Sequence, residues 1–381
     1  MEYRALGNTG RKASVIGFGA EWIGELDQEA VNAMAARGAA AGMNIVDCWM
    51  ADPAVRSALG EALAPTRGQW VIQGHIGSTW QDGQYVRTRD MALVRPAFDD
   101  LLARLRTDSV EFGMIHYVDE TDEFAAIMDG PFIEYVRELR DTGRIGHIGL
   151  STHNPAVGLL AAREPEIELV MFSVNPAYDM QPANVDLDTL YGEYDALDAA
   201  GIDPARAAFY AECERTGTAL TVMKAFAGGR LLSAEASPFG VALTPAQCIH
   251  YALTRPAAAS VMVGVESVAQ LEEALAFCDA APADLDYASV LAGAPKHAFG
   301  GQCTYCGHCA PCTVGINIAL ANKFYDLADQ HGEVPPSVQG HYEAMAVTAG
   351  ACTGCEACEP RCPFGVPIAE RMGKMAELFG C

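Results

Sequence analysis

Two cysteine runs near the end of the chain constrain it more than any other feature. Cys303-Thr-Tyr-Cys306-Gly-His-Cys309-Ala-Pro-Cys312 is followed by Cys352-Thr-Gly-Cys355-Glu-Ala-Cys358-Glu-Pro-Arg-Cys362-Pro363. The second run is C-x2-C-x2-C-x3-C-P, the spacing at which bacterial proteins hold a [4Fe–4S] cluster. Short spacings let successive thiolates of one turning segment reach different irons of a single cube. The proline stiffens the chain where the fourth, remote-pointing cysteine leaves. The first run is a variant, with Cys309-x2-Cys312 and Thr313 where proline is expected. Eight cysteines in two such runs predict two clusters and, with them, electron transfer.

Zinc is the competing occupant, since paired C-x2-C motifs also build four-thiolate sites. Two pairs satisfy zinc, however, and leave the third evenly spaced cysteine of each run without a use. A disulfide framework fits less well, because the N-terminus has no basic segment followed by an apolar core, as an export signal has. The remaining cysteines, Cys48, Cys213, Cys248, Cys278 and Cys381, read as ordinary thiols of a reducing compartment. No apolar run approaches the roughly 18 residues that span a bilayer, so a cytoplasmic protein is expected. A net charge of −24 repels nucleic-acid phosphate and anionic membrane surfaces, which sets both aside as partners, and suits a basic docking partner.

Ahead of the cysteines, short β-rich runs alternate with longer helical patterns. The expected strands are Ser14–Phe18, Asn44–Asp47, Trp70–Gly74, Val110–His116, Ile145–Leu150, Leu169–Val174, Ala219–Met223 and Ser260–Val263. Most are continuous apolar runs, as strands covered on both faces should be. Helix starts are signalled by Asp27, Thr244-Pro245 and Ser267. Eight such units predict an α/β fold, a (β/α)8 TIM barrel. A doubly wound open sheet is the alternative, but Gly17-Phe18-Gly19-Ala20-Glu21-Trp22 lacks the third glycine of its phosphate-binding turn. Met1 to Lys12 reads as a hairpin, turning at Gly7-Asn8-Thr9-Gly10, that plugs the N-terminal mouth. The expected domains are a barrel over 1–280, a linker over 281–299 and a small, mainly helical ferredoxin-like cluster domain over 300–381. Within the last, Ile316–Asp329 reads as a helix.

Catalytic groups of such barrels sit at the C-terminal ends of strands. Those ends carry Asp47, His75, His116, Ser151 with His153 and Asn154, Asn175 with Tyr178, and Lys224. One strand-end histidine is usually structural; so many ionisable groups at one opening read as an active site.

Several stretches resemble the aldo-keto reductases: Tyr3-Arg4-x-Leu6-Gly7-x-Thr9-Gly10, Gly42-Met-Asn-x-x-Asp47, Ile115-His116, Ile148-Gly149-x-Ser151 and Gly228-Gly229-Arg230-Leu231. The tail resembles the dicluster ferredoxin-like domain of a bacterial branch of that family. The resemblance implies carbonyl reduction with a nicotinamide cofactor by an Asp, Tyr, Lys and His tetrad. Asp47 and His116 fall on two of those positions. The lysine position holds His75, and the tyrosine position holds Asp52, which also reads as the cap of a helix starting at Pro53. Tyr178 falls where the family stacks an aromatic on the nicotinamide, and is the candidate phenol at the mouth. Ser151, Asn154, Asn175, Lys224, Gly228, Gly229, Arg230 and Gly264 are the implied cofactor-binding positions. By ferredoxin analogy Cys362 joins Cys303, Cys306 and Cys309, while Cys312 joins Cys352, Cys355 and Cys358; the shortened spacing leaves that crossing open.

The altered tetrad points away from routine aldehyde reduction. Asp47 and His75 make a proton donor, a carboxylate orienting an imidazole whose ordinary pKa suits transfer near neutrality. The glycines would serve NAD(H) or a flavin equally well; Glu266, where the family's NADP-binding members carry a base, favours NAD(H) over its phosphorylated form. The expected function is an iron–sulfur oxidoreductase acting on a small molecule (a carbonyl, an enone or a C–O bond), in either direction, supplied by an electron-donor protein. Two alternatives stay open. In one, Asp47, His75, His116 and His153 bind a divalent metal for lyase, isomerase or hydrolase chemistry. In the other, the chain is an electron-carrier subunit.

Overall fold

The computed structural model describes residues 1–180, 201–294, 301–329 and 334–380. They form two compact units: Met1–Val174 with Thr216–Ala225 and Ala257–Ala280, and Asn175–Arg215 with Phe226–Pro256 and Ala281–Cys381.

The first unit opens with a hairpin of β1 (Tyr3–Ala5) and β2 (Lys12–Ser14). Eight strands then close a parallel barrel: β3 (Ile16–Gly19), β4 (Ile45–Cys48), β5 (Val71–Ile76), β8 (Val110–Ile115), β9 (Ile145–Thr152), β10 (Ile167–Ser173), β11 (Ala219–Met223) and β12 (Ala258–Gly264). The fold is the expected (β/α)8 barrel. All eight expected strands are present, with ends shifted by up to two residues. The strands are apolar because they are buried on both faces. Leu6 and Ala13 of the hairpin are fully buried against Ile45, Val71 and Ala219, the first residues of their strands, so the hairpin plugs the barrel as expected. Gly7 makes that closure: its φ is +54°, and a Cβ there would lie 2.1 Å from the carbonyl oxygen of Gly217.

Between β5 and β8 lies an element the sequence reading did not anticipate. β6 (Ser78–Gln81) and β7 (Gln84–Arg87) form a hairpin around Asp82-Gly83. Both turn residues have positive φ, +51° and +81°, as the tight hairpin turn requires. The strand before it also runs to Ile76, so His75 lies within β5 rather than beyond it.

Helix starts follow the expected chemistry. Asp27 and Ser267 each accept a backbone N–H as N-caps. Thr244 forms a full capping box with Gln247. Asp52 caps the helix Pro53–Leu63 by accepting from the backbone of Ala54 at 2.7 Å.

The second unit, over its described residues, is helical. Its longer helices are Pro204–Thr216, Pro245–Leu253, Ile318–Asp329, Pro336–Glu343 and Ile368–Phe379. Within the segment expected as a linker, Tyr287–Ala292 is a helix with Tyr287 and Leu291 fully buried, and 295–299 lie outside the described residues. Tyr342 stacks on Phe379, with ring centroids 4.0 Å apart, which joins the last two of those longer helices. Cys48, Cys213 and Cys248 are buried, and burial pushes Cys48 and Cys248 up to about 12, which makes them inert thiols. Cys381 lies outside the described residues. No helix among the described residues is long and apolar enough to cross a membrane.

Candidate active site

One continuous hydrogen-bonded chain runs through the strand ends of the barrel. Asp47, the last but one residue of β4, is buried; its Oδ1 lies 2.9 Å from Nε2 of His75. Nδ1 of His75 lies 2.8 Å from Nδ1 of His116, the residue after β8. Nε2 of His116 lies 2.7 Å from the hydroxyl of Tyr85 on the β6–β7 hairpin. A single set of neutral tautomers satisfies every link. The Tyr85 hydroxyl donates to His116, His116 donates to His75, and His75 donates to the carboxylate.

The barrel interior holds the far end of this chain in place. Gln73 donates to Asp47 Oδ1 at 2.9 Å and accepts from the Thr221 hydroxyl at 2.9 Å. All three side chains are fully buried or nearly so, so the carboxylate sits in a paired, preset position. Trp49, just past β4, stacks parallel to His116 at 5.8 Å and meets the edge of Tyr85 at 5.3 Å. Burial, and then the neighbouring His75, hold His116 well below its ordinary value of 6.5. Burial raises the Tyr85 phenol to about 12, so it keeps its proton.

A second polar set stands at β9 and β11. Asp119 Oδ2 lies 2.9 Å from Nδ1 of His153, whose Nε2 lies 3.1 Å from Nζ of Lys224. Burial lowers Lys224 to about 8, against the opposing charges of Glu21 and Asp119. Two residues at this rim adopt left-handed backbone, Tyr117 at φ +46° and Lys224 at φ +60°. Side chains with a Cβ rarely adopt that conformation, and it concentrates at functional sites. The ring of Tyr117 touches both sets, edge-on to His116 and to His153.

The other expected site residues divide clearly. The Ser151 hydroxyl accepts the N–H of Tyr117 at 2.8 Å. Asn154 caps the helix Pro155–Arg163 and donates to the carbonyl of Asp119. Gly264 is covered by an indole: a Cβ there would lie 2.7 Å from Cδ1 of Trp22. Asn175, Tyr178, Gly228, Gly229 and Arg230 belong to the second unit. There Asn175 accepts from the backbone of Tyr178 at 2.9 Å, and Tyr178 is fully buried. Gly228 and Gly229 both take positive φ.

Sequence reasoning missed Tyr85, Trp49, Gln73 and Asp119. A signal for Tyr85 was available: Asp82-Gly83 is flanked by Thr79, Trp80, Tyr85 and Val86, a hairpin pattern. The metal alternative meets a geometric obstacle. Asp47 and His116 sit on opposite ring nitrogens of His75, so these donors are in series rather than converging on one point.

The cysteines surround two spaces in the second unit. One cavity is lined by Cys303, Cys306, Cys309 and Cys362. Another is lined by Cys312, Cys352, Cys355 and Cys358. Each run thus gives three sulfurs to one cavity and one to the other. Among the described residues, no three His, Cys, Asp or Glu side chains converge closely enough to hold a single ion. Zinc needs that convergence, with sulfurs about 2.3 Å from one centre. A four-iron cube, with one thiolate per iron, needs sulfurs spread around a space. The wall of the first cavity also carries a buried polar atom, His308 Nδ1, without a hydrogen-bond partner among the described residues.

A closed parallel barrel with ionisable groups hydrogen-bonded across the C-terminal ends of its strands has the build of a barrel enzyme. Residues 15–241 match the aldo/keto reductase family, and the chain belongs to that family of oxidoreductases. Solved structures share the fold. A protein of Pseudomonas aeruginosa described as an aldo-keto reductase is 24% identical with a TM-score of 0.55, over 72% of this chain and 94% of that one. An aldo-keto reductase of Bacillus halodurans in its holo form is 20% identical with a TM-score of 0.58, over 74% of this chain and 92% of that one. No curated protein matches the chain.

Proposed function

We propose that this chain is an iron–sulfur oxidoreductase in which two [4Fe–4S] clusters feed a barrel that reduces, or in reverse oxidises, a small carbonyl, enone or C–O compound. The observation that carries the reading is the pair of cavities, each framed by four cysteines drawn crosswise from the two runs. On this reading 300–381 is the cluster domain, 281–299 its linker and 1–280 the barrel. Cys303, Cys306, Cys309 and Cys362 would hold one cluster; Cys312, Cys352, Cys355 and Cys358 would hold the other. When bound, such clusters supply electrons one at a time.

The barrel's residues supply protons. Reduction of a carbonyl to an alcohol takes two electrons and two protons. Tyr85 gives one to the substrate oxygen. This direction starts from the other set of neutral tautomers, with Asp47 protonated: His116 returns its Nε2 proton to the phenolate, His75 passes its Nδ1 proton to Nδ1 of His116, and Asp47 passes its proton to Nε2 of His75. In oxidation the same line runs the other way and ends with a protonated Asp47. Tyr85 thus takes the acid's role that the family's tyrosine fills, although it is supplied from the β6–β7 hairpin. Lys224, oriented by His153 and Asp119, gives the second proton.

The fit to a dinucleotide is poor at two positions: Trp22 covers Gly264, and the Asn154 side chain serves backbone groups. On this reading the barrel takes its electrons from the clusters rather than from NAD(H) or a flavin. An electron-donor protein supplies the clusters in their place. The test is turnover of a panel of carbonyl and enone compounds under anaerobic conditions, with reduced methyl viologen or NADH as the only reductant. Turnover with the viologen alone supports the reading; turnover with NADH alone, or with no reductant, overturns it.

A further inference from the structure

The second unit holds a buried arginine that the reading above leaves unused. Arg255 is 1% exposed. Its Nη2 donates to the carbonyl of Thr304 at 2.9 Å, and the Tyr287 hydroxyl donates to the same oxygen at 2.7 Å. The guanidinium lies over the rings of Tyr251 and Tyr305, at 4.5 and 5.3 Å. It therefore backs the loop that runs from Cys303 to Cys306.

Its hydrogen bonding is incomplete. Nε and Nη1 of Arg255 are buried with no hydrogen-bond partner among the described residues, and the Thr304 hydroxyl on the cavity wall reaches Cys306. The carboxylate that acts on Arg255, Asp179, already accepts from Tyr210 at 2.5 Å and Tyr251 at 2.8 Å, with Arg206 at 3.7 Å. A buried guanidinium with unmet donors is costly unless negative charge lies nearby. The other cavity is built differently. Its loop is exposed from Thr353 to Ala357, Cys355 included, and its arginine, Arg361, is exposed to solvent and so screened.

We propose that the two clusters stand at different potentials, the one framed by Cys303, Cys306, Cys309 and Cys362 being the higher. Electrons then enter at the exposed Cys355 loop and collect beside Arg255. The inference rests on the cluster reading above. With both clusters bound, each transfer would move one electron from the reduced outer cluster to the oxidised inner one, and an external one-electron carrier would reduce the outer cluster again. Reduction adds a negative charge. An unscreened buried cation favours that charge, as do hydrogen bonds to cluster sulfurs, whereas burial alone opposes it. Arg255 is the residue that sets the order.

The experiment is an EPR-monitored potentiometric titration of the full-length, cluster-loaded protein as wild type, R255Q, R255K and C355S. The wild type should show two one-electron steps, with C355S altering the signal of the lower one. R255Q should lower the upper step by at least tenfold in its equilibrium constant, 59 mV for one electron, and leave the lower step in place. R255K should keep the upper step within that margin. A wild type with two clusters whose upper step R255Q leaves unmoved overturns the proposal alone. A wild type with no iron and no redox step sinks the cluster reading and the proposal together. Should R255Q fail to fold, T304V removes the hydroxyl that reaches Cys306 and should move the upper step the same way; no movement there overturns the proposal.

Discussion

The hydroxyl of Tyr85 lies 2.7 Å from Nε2 of His116, although one residue belongs to an inserted hairpin and the other to the barrel wall. The resemblance puts the family's tyrosine at Asp52, which here caps a helix. On the proposed reading the phenol comes from this hairpin and reaches His116 there. Replacing Tyr85 with phenylalanine removes the proton and keeps the ring against Trp49. The expected result is a fall in kcat of about 10²–10⁴-fold with little change in Tm. An unchanged kcat would remove Tyr85 from the mechanism.

The pH dependence follows from both polar sets. His116, held well below 6.5, stays a neutral acceptor across the neutral range. Lys224 loses its proton near 8. Activity should therefore fall on the basic side near 8 and show no acid limb at 6.5. K224R, whose guanidinium stays charged and does not give up its proton, should lose activity on both sides of that point. Stability carries the opposite edge. Above 6.5 His116 is neutral in both the folded and unfolded chain. As pH falls below that value the unfolded chain takes the proton first, so stability drops by up to ~1.4 kcal/mol per pH unit until the folded-state value is reached. Chemical denaturation at several pH values reads this slope directly.

The sequence revealed the barrel because its strands are covered on both faces and so appear as unbroken apolar runs. It also revealed the caps, since Asp27, Asp52, Thr244 and Ser267 act locally on the next turn. Tyr85 was lost because a short hairpin between a strand and a helix was read as connection, despite its Asp82-Gly83 turn. His153 and Lys224 were legible as strand-end residues, but Asp119 and the grouping of the three have no local signature. Its members come from three stretches of chain, and only barrel closure brings them together. The cysteine runs were plain, but which sulfur faces which cavity depends on how the helices between them fold.

That crossing makes a specific prediction. Cys362 lies in the second run but faces the cavity of the first. C362A should lose the same cluster as C303A, and C312A the same as C352A, each leaving about four irons. Iron assay with EPR of the surviving signal checks the pairs. If C362A and C352A abolish the same signal, the crosswise arrangement is wrong.

Gly60 separates helix propensity from packing. Alanine in a helix interior normally stabilises by roughly 0.5–1 kcal/mol over glycine. Here a Cβ would lie 2.1 Å from the backbone oxygen of Arg104 on the neighbouring helix. G60A should therefore destabilise, by about 1–3 kcal/mol. A rise in Tm would show that the helices are not so closely packed.

The most direct test of the central claim is the metal and sulfide content of protein purified without oxygen, with its visible spectrum before and after dithionite. The account predicts about eight irons and eight sulfides per chain, and an absorbance that bleaches on reduction. Zinc in place of iron would contradict it, and would remove the electron source on which the chemistry of the barrel depends.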